Sequence, residues 1–317
     1  MNIYNTGCKL DNEGMTVKKG FVTVATGNDQ YYQLAANLLL SYKKRGAGTY
    51  PFALICDRTN EYTDLFDDVV IVQDVRKSTV DKLLMRYSPY DENLFLDADT
   101  LILENIDDLW DVFGDQDDVS VFGCILPLDS QDGWFTYEGS GKYKPRVSYL
   151  LSMNGGIYYF RKTEKAAQVF REALEVIDDY ASIDFKYFDT PQDEPLMAMS
   201  MVINGCLPCT SKYDMLILPV CEKRISTDYL GNVYEGKTLI KAKMIHFSTP
   251  RTALFLYHYL DAVNHNEEFW KTPSRFVRMK LKYMHRDLQF NAYHLAGAML
   301  RKAGLGDLVE KLKSVLR

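Results

Sequence analysis

"LFLDADTLIL" (94–103) decides how the rest of the chain is read. Leu94, Phe95 and Leu96 form an apolar run, and Asp97 and Asp99 follow it one residue apart. A strand interior excludes such a pair, because an unpaired carboxylate in an apolar environment costs several kcal/mol or more. The strand therefore ends at Asp97, or the two carboxylates hold a cation. The position matters, since in open α/β sheets ligands bind beyond the carboxyl ends of the strands.

The segments around the pair supply such a sheet. "FVTVA" (21–25) has the β-branched content of a strand, and Asn28 or Asp29 can cap a helix from about Tyr31 to Arg45 that Gly46 ends. "YPFALIC" (50–56) and "VVIV" (69–72) are short apolar runs suited to central parallel strands. A helix with Ser78 and Asp81 placed as a capping box leads into "NLFL". Beyond the pair, "NIDDLWDVF" reads as helix, "VSVFG" (119–123) as strand, and the polar, aromatic stretch from Asp129 to Lys144 as a substrate loop. "YLLSMNGGIYYF" (149–160) reads as two strands around a glycine bend, and Thr163 caps a helix to about Tyr180. Asp193 and Glu194 stand directly before Pro195, the favoured first residue of a helix that Gly205 ends. Strands separated by helices predict an α/β fold, a mainly parallel sheet flanked by helices. With no repeat and no obvious linker, one domain is expected over residues 1–270 and a basic helical extension over 271–317.

Composition narrows the classes. The 317 residues are 47% hydrophobic and 25% charged, so the chain folds without staples. The N-terminus lacks the basic-then-apolar layout of a signal peptide. The longest uncharged run, Pro195 to Ser211, is interrupted by Asn204, Gly205 and Pro208 and is too short to span a bilayer. Six cysteines in such a chain fit a reduced, cytoplasmic protein, and "CLPC" (206–209) has neither the second pair nor the strand-helix context of a zinc or redox site. Residues 271–317 carry eleven Lys and Arg against three acidic residues, a local +8, which against the overall −6 leaves −14 on residues 1–270. An acidic body argues against nucleic acid as a partner.

An Asp-Xaa-Asp alone is a weak signal, but its surroundings sharpen it. "FLDADTLILENIDDLW" occurs with "FVTVATGNDQYY" (21–32), "DKLLMRY" (81–87), "MNGGIYYF" (153–160), "PQDEPLM" (191–197) and "IHFSTPR" (245–251). In that order, over about residues 20 to 255, they resemble glycosyltransferase family 8, the glycogenin-like retaining enzymes. The resemblance implies a GT-A fold with a Rossmann-like nucleotide half. It places Thr23, Ala25, Thr26, Asn28 and Tyr31 at the nucleotide, Lys82 as a donor contact with Arg86 on the same helix face as a second candidate, and Asn154 and Gly155 beside the donor sugar. Asp97, Asp99 and His246 become metal ligands, and Arg251 a phosphate-binding cation one position closer to the histidine than glycogenin's lysine. Asp193 would contact the donor sugar and Glu194 would lie near the anomeric carbon. The family commonly has Gln at the second of these positions, so Glu194 is a departure.

The chemistry is coherent. A diphosphate leaving group needs its charge neutralised as the sugar–phosphate bond breaks, which a divalent cation does as a Lewis acid. Two carboxylates and an imidazole suit Mn2+, with Mg2+ as the other choice. Glu194 could stabilise an oxocarbenium-like transition state or act as nucleophile, or the acceptor could attack from the front face. The expected donor is a UDP-sugar carrying glucose or galactose, and the acceptor a glycan or glycolipid. Other readings stand beside it. His246 could be a hydrogen-bonded core residue, Lys82 and Arg86 a solvated helix face, Asn154 a turn former, and Asp193 and Glu194 helix caps. A self-glucosylating enzyme, a non-catalytic nucleotide-sugar-binding module and a metal-dependent phosphatase or nucleotidyltransferase are the alternative functions. The aspartyl phosphatases want Thr or Val where this chain has Leu101.

In the basic extension, Val277, Leu281, Met284, Leu288, Ala292, Leu295 and Met299 make an apolar stripe, with Arg275, Arg278, Lys282 and Arg286 around its start. Such a face packs on its own domain, pairs with a second copy in a homo-oligomer, or contacts anionic lipid at the inner face of a membrane.

Overall fold

Phe52–Cys56 buries every side chain it carries, as a strand covered on both faces must. The computed structural model describes residues 17–45, 48–218 and 225–302. The chain divides into two compact units, Met1–Asp214 and Met215–Arg317.

The first unit is α/β. Its strands are β1 (Lys19–Ala25), β2 (Phe52–Cys56), β3 (Asp68–Ile71), β4 (Glu92–Leu96), a short β5 (Thr100–Ile102), β6 (Val119–Leu126) and β7 (Leu150–Arg161). Six of them form one mixed, mostly parallel sheet in the order β3-β2-β1-β4-β7-β6. β1 pairs in parallel with β2 and β4, β2 with β3, and β7 runs antiparallel between β4 and β6. The helices are α1 (Asp29–Arg45), a short α2 (Leu109–Phe113), α3 (Glu164–Asp179) and α4 (Asp193–Ile203). α1 carries Asp29 in its first turn and Lys43, Lys44 and Arg45 in its last, which suits the helix dipole. Gly46, expected to end it, lies outside the described residues. Thr163 caps α3 as its sequence implies, its hydroxyl accepting from the Ala166 N–H at 3.2 Å. α4 packs on both α3 and β7, and ten of its eleven residues are buried.

Two local readings change. Residues Thr79–Tyr87 form 3-10 turns, and Ser78 makes no capping bond. The Asp81 carboxylate instead accepts from the Thr26 hydroxyl (2.7 Å) and the N–H groups of Arg76 (2.7 Å) and Lys77 (2.8 Å), so it fastens two loops rather than a helix end. β7 is one strand through Asn154, Gly155 and Gly156, but its pairing with β6 jumps there, Val121 facing Tyr158 and Gly123 facing Met153, so the expected bend is present as a bulge within a single strand. Gly155 serves close approach there, as the site shows. Cys206 and Cys209 are free and buried, two ordinary core thiols.

In the second unit, β8 (Met215–Leu218) pairs in parallel with a later strand, β12 (Met244–Phe247), while β9 (Ile225–Thr227), β10 (Val233–Glu235) and β11 (Thr238–Ile240) form an antiparallel meander. Helices α5 (Phe255–His265), α6 (Glu267–Trp270) and α7 (Pro273–Lys302) follow. Phe255, Tyr259 and Val263 of α5 pack against Phe276, Met279 and Tyr283 of α7. That contact uses a different face of α7 from the apolar stripe, so Val277, Leu281, Met284, Leu288, Leu295 and Met299 stay about half or more exposed. No helix among the described residues is long and apolar enough to cross a membrane.

Candidate functional site

Four segments of the first unit meet at the carboxyl end of β4. Asp97 follows that strand, and its N–H donates to the Gly156 carbonyl on β7 at 3.0 Å, so the sheet itself sets its position. Lys82, from the 3-10 turns, places Nζ 2.7 Å from Asp97 Oδ2 and 2.9 Å from Asp193 Oδ2, the latter at the start of α4. Glu194, the next residue of α4, accepts the backbone N–H of Gly155 at 2.7 Å and the Asn154 side-chain amide at 3.4 Å. The other end of the Asn154 amide accepts the Gly156 N–H at 3.1 Å, which holds its orientation.

Gly155 is required by crowding. A Cβ there would lie 2.8 Å from both Glu194 Cγ and Tyr158 Oη, and 3.0 Å from Asp193 Oδ2. Tyr158 is the residue that sequence reasoning missed at this place. Its hydroxyl is buried with no hydrogen-bond partner among the described residues, and burial followed by the Asp193 charge pushes its pKa well above the usual tyrosine range.

The electrostatics follow from one cation among several anions. Burial disfavours the Lys82 ammonium, but Asp193, Asp97 and Glu194 outweigh it and hold its pKa well above the ordinary lysine value. Burial pushes the Asp193 carboxyl up to about 6; Lys82 opposes that rise, and Glu194 and Asp97 add to it.

Asp99 is buried, and His246 is partly buried on β12 in register with Ile217 of β8. Asp97 and Asp99, both of the first unit, bring ligand oxygens within 4.8 Å of each other, a pair that could hold a metal ion, while His246, the third expected ligand, belongs to the second unit. Two carboxylates and an imidazole fit a divalent cation of intermediate hardness, so the donor set matches the chemistry expected of it.

The remaining expected residues are held by local contacts. Thr23 and Ala25 are buried in β1, and Thr26 is held by Asp81. Asn28 accepts the Gln30 N–H at 3.0 Å and so starts α1, with Tyr31 exposed beside it. Arg86 donates to the Leu83 carbonyl (2.8 Å) and to Tyr87 Oη (3.0 Å), partners on its own turn. Arg251 lies over the Phe290 ring at 5.4 Å.

Sequence reasoning also missed Asp57 and Arg58. Asp57 accepts from Tyr32 Oη (2.5 Å) and the Gly27 N–H (3.2 Å), while Arg58 donates to the Gly27 carbonyl (2.8 Å) and to Asp29 (2.6 Å). Burial pushes the Asp57 carboxyl up, but the bonds from Tyr32 and Gly27 with the Arg58 charge reverse this and leave it below the usual range. Together they pin the loop between β1 and α1. The signal was present: Asp57 follows the apolar run "FALIC" as Asp97 follows "NLFL".

Compared with known proteins, the chain matches no protein-family model, and no curated protein matches it significantly.

Proposed function

We propose that this protein is a metal-dependent retaining glycosyltransferase of GT-A fold, similar to glycosyltransferase family 8, that moves a hexose from a UDP-sugar to a glycan or glycolipid. The observation that carries the reading is the meeting of Lys82, Asp97, Asn154, Gly155, Asp193 and Glu194 through contacts of 2.7 to 3.4 Å. These residues come from four separate segments, each matched to a donor-site role by the family resemblance and by nothing else in common.

Asp97, Asp99 and His246 would hold Mn2+ or Mg2+. When bound, the cation supplies Lewis-acid neutralisation of the departing diphosphate. Lys82 keeps its charge and adds a second cation near the same phosphates. Asp193 and the Asn154 amide are hydrogen-bonding groups for hydroxyls of the donor sugar. Glu194, fixed by the Gly155 N–H, offers a preorganised carboxylate to positive charge developing at the anomeric carbon, a form of stabilisation that needs no reorganisation during reaction. With a carboxylate where the family commonly has an amide, its contribution to that charge is larger.

The exposed stripe of α7, flanked by Arg275, Arg278, Lys280, Lys282 and Arg286, fits the surface of an anionic membrane and a lipid-linked acceptor.

The test is product analysis. Incubation with UDP-glucose or UDP-galactose and Mn2+ should release UDP, with retained anomeric configuration in the transferred sugar, and Asp97→Asn should abolish release. Release of phosphate or pyrophosphate would point instead to a phosphatase or nucleotidyltransferase, and donor binding without turnover to a binding module.

A further inference from the structure

One buried group at the site has no part in the chemistry described so far. Tyr158, on β7, is wholly buried, and its hydroxyl has no hydrogen-bond partner among the described residues. The residues facing it across the sheet are Phe95 on β4 and Val121 on β6, both apolar, and its ring lies 6.1 Å from that of Phe95. Phenylalanine would fill such a place equally well. A buried hydroxyl without a partner destabilises the fold that keeps it, and native structures retain few of them.

The hydroxyl is aimed at the start of α4. The position that a Cβ on Gly155 would take lies 2.8 Å from Tyr158 Oη, 2.8 Å from Glu194 Cγ and 3.0 Å from Asp193 Oδ2, so all three converge on the one spot that the glycine leaves open. Electrostatics agree with the geometry. Burial and then the Asp193 charge raise the Tyr158 pKa, ahead of the influence of Lys82, Glu194 and Asp97.

Asp193, for its part, is short of donors. Its Oδ2 is buried and meets the Lys82 ammonium at 2.9 Å as an ion pair, without a well-aligned hydrogen bond. Lys82 is shared with Asp97 at 2.7 Å, and on the proposed function it also serves the phosphates of the donor. Each turn of the ammonium toward those phosphates takes counter-charge from a buried carboxylate, which is costly unless another donor replaces it.

We infer that Tyr158 is a positioning residue for Asp193: its hydroxyl donates to that carboxylate when Lys82 engages the donor, and so holds Asp193 in place for the sugar. A small turn of the Asp193 carboxylate closes the distance. The bond so formed has a charged acceptor, which makes it stronger than one between neutral groups. Being wholly buried, Tyr158 acts through Asp193 rather than on the sugar itself.

This inference rests on the proposed glycosyltransferase reading, and one variant separates the two. Tyr158→Phe removes the hydroxyl and keeps the ring. In the full chain, urea midpoints give the stability of the free protein, and calorimetry with UDP-glucose and UDP-galactose in Mn2+ gives the donor affinity. Because the hydroxyl is unpartnered in the free protein, its removal should leave the midpoint equal or higher. Donor affinity should fall about tenfold, the loss of one hydrogen bond to a charged group. A hydroxyl with a purely structural role does not produce that split, in which affinity is lost without stability. Unchanged affinity in the variant overturns the inference and leaves the donor reading intact. A lowered midpoint shows a bond already made in the free protein and overturns it likewise. If the native chain binds neither UDP-sugar, the donor reading fails and the inference falls with it.

Discussion

Glu194 Oε1 accepts the backbone N–H of Gly155 at 2.7 Å, and this contact ties the start of α4 to the middle of β7. It explains why the strand has a glycine where a side chain would otherwise pack. Gly155→Ala should displace Glu194, Asp193 and Tyr158 together, since the new methyl would meet all three at 3.0 Å or less. Overpacking of this kind costs about 1–3 kcal/mol. Chemical denaturation should show that loss, and UDP release should fall far more than stability does. Normal turnover in a folded Gly155→Ala protein would contradict the placement of Glu194.

Lys82 is the counter-ion of two carboxylates, so Lys82→Met should be costly and its cost should depend on pH. Removing one partner of a buried ion pair destabilises by about 3–5 kcal/mol. Asp193 already has a raised pKa of about 6, so its protonated form is favoured by the fold; that contribution is full below the unfolded value of 3.8 and is lost as pH rises through 6. Without Lys82 the folded value rises further. The variant should therefore recover stability between pH 8 and pH 5 more than the native chain does, as read by urea midpoints. Parallel pH curves for the two proteins would argue against the pairing.

Asp81 joins the β1 loop to the 3-10 turns by accepting three donors on two oxygens. Asp81→Asn keeps one acceptor oxygen and adds a donor facing other donors. It should cost about 1–3 kcal/mol for the stranded N–H and hydroxyl groups. Because Thr26 loses its anchor, UDP-sugar stabilisation should weaken in the same variant. An unchanged thermal midpoint would exclude this anchoring role.

His258 gives the second unit its own pH signature. Burial, then the charges of Arg286 and Lys282, lowers its pKa to about 4, while its ring stacks on Tyr283 at 4.3 Å. A depressed folded value means that stability is present above 6.5 and is lost as pH falls toward 4. With solvent screening the loss is about 1–2 kcal/mol. His258→Phe should keep the stacking and flatten that limb of the stability curve, which thermal unfolding across pH 4 to 7 will show.

The α7 stripe should bind vesicles of phosphatidylglycerol but not of phosphatidylcholine, with salt weakening the contact. Leu281→Glu with Leu288→Glu should abolish co-sedimentation while UDP release in solution stays unchanged. Equal binding to both vesicle types would remove the electrostatic part of the proposal.

The strands around the site were legible because burial on both faces demands unbroken apolar runs, as in "FALIC" and "NLFL". Asp97 and Asp99 were legible for the complementary reason, charge where such a run stops. The 3-10 turns at Thr79–Tyr87 were not, because Asp81 sits at a capping position and yet bonds to Thr26, a partner distant in sequence. The glycines of β7 read as a bend, and the register with β6 does shift there, but nothing local reveals that Glu194 occupies the space a Cβ of Gly155 would take. The meander of the second unit has three-residue strands, too short for alternation to register. Tyr158 was hidden for a different reason: between Ile157 and Tyr159 it reads as one more core side chain of a strand.

The central claim is a metal-dependent UDP-sugar site built on Asp97, Asp99 and Lys82. It is tested most directly by thermal unfolding of the native chain and of Asp99→Asn with a panel of nucleotide sugars, with and without Mn2+. A ligand bound only by the native state at a hundredfold excess over its Kd adds about 2.7 kcal/mol. The account predicts that a UDP-sugar raises the midpoint of the native chain only when Mn2+ is present, and that Asp99→Asn loses the effect. No shift from any nucleotide sugar in either condition, or an equal shift in Asp99→Asn, would contradict it.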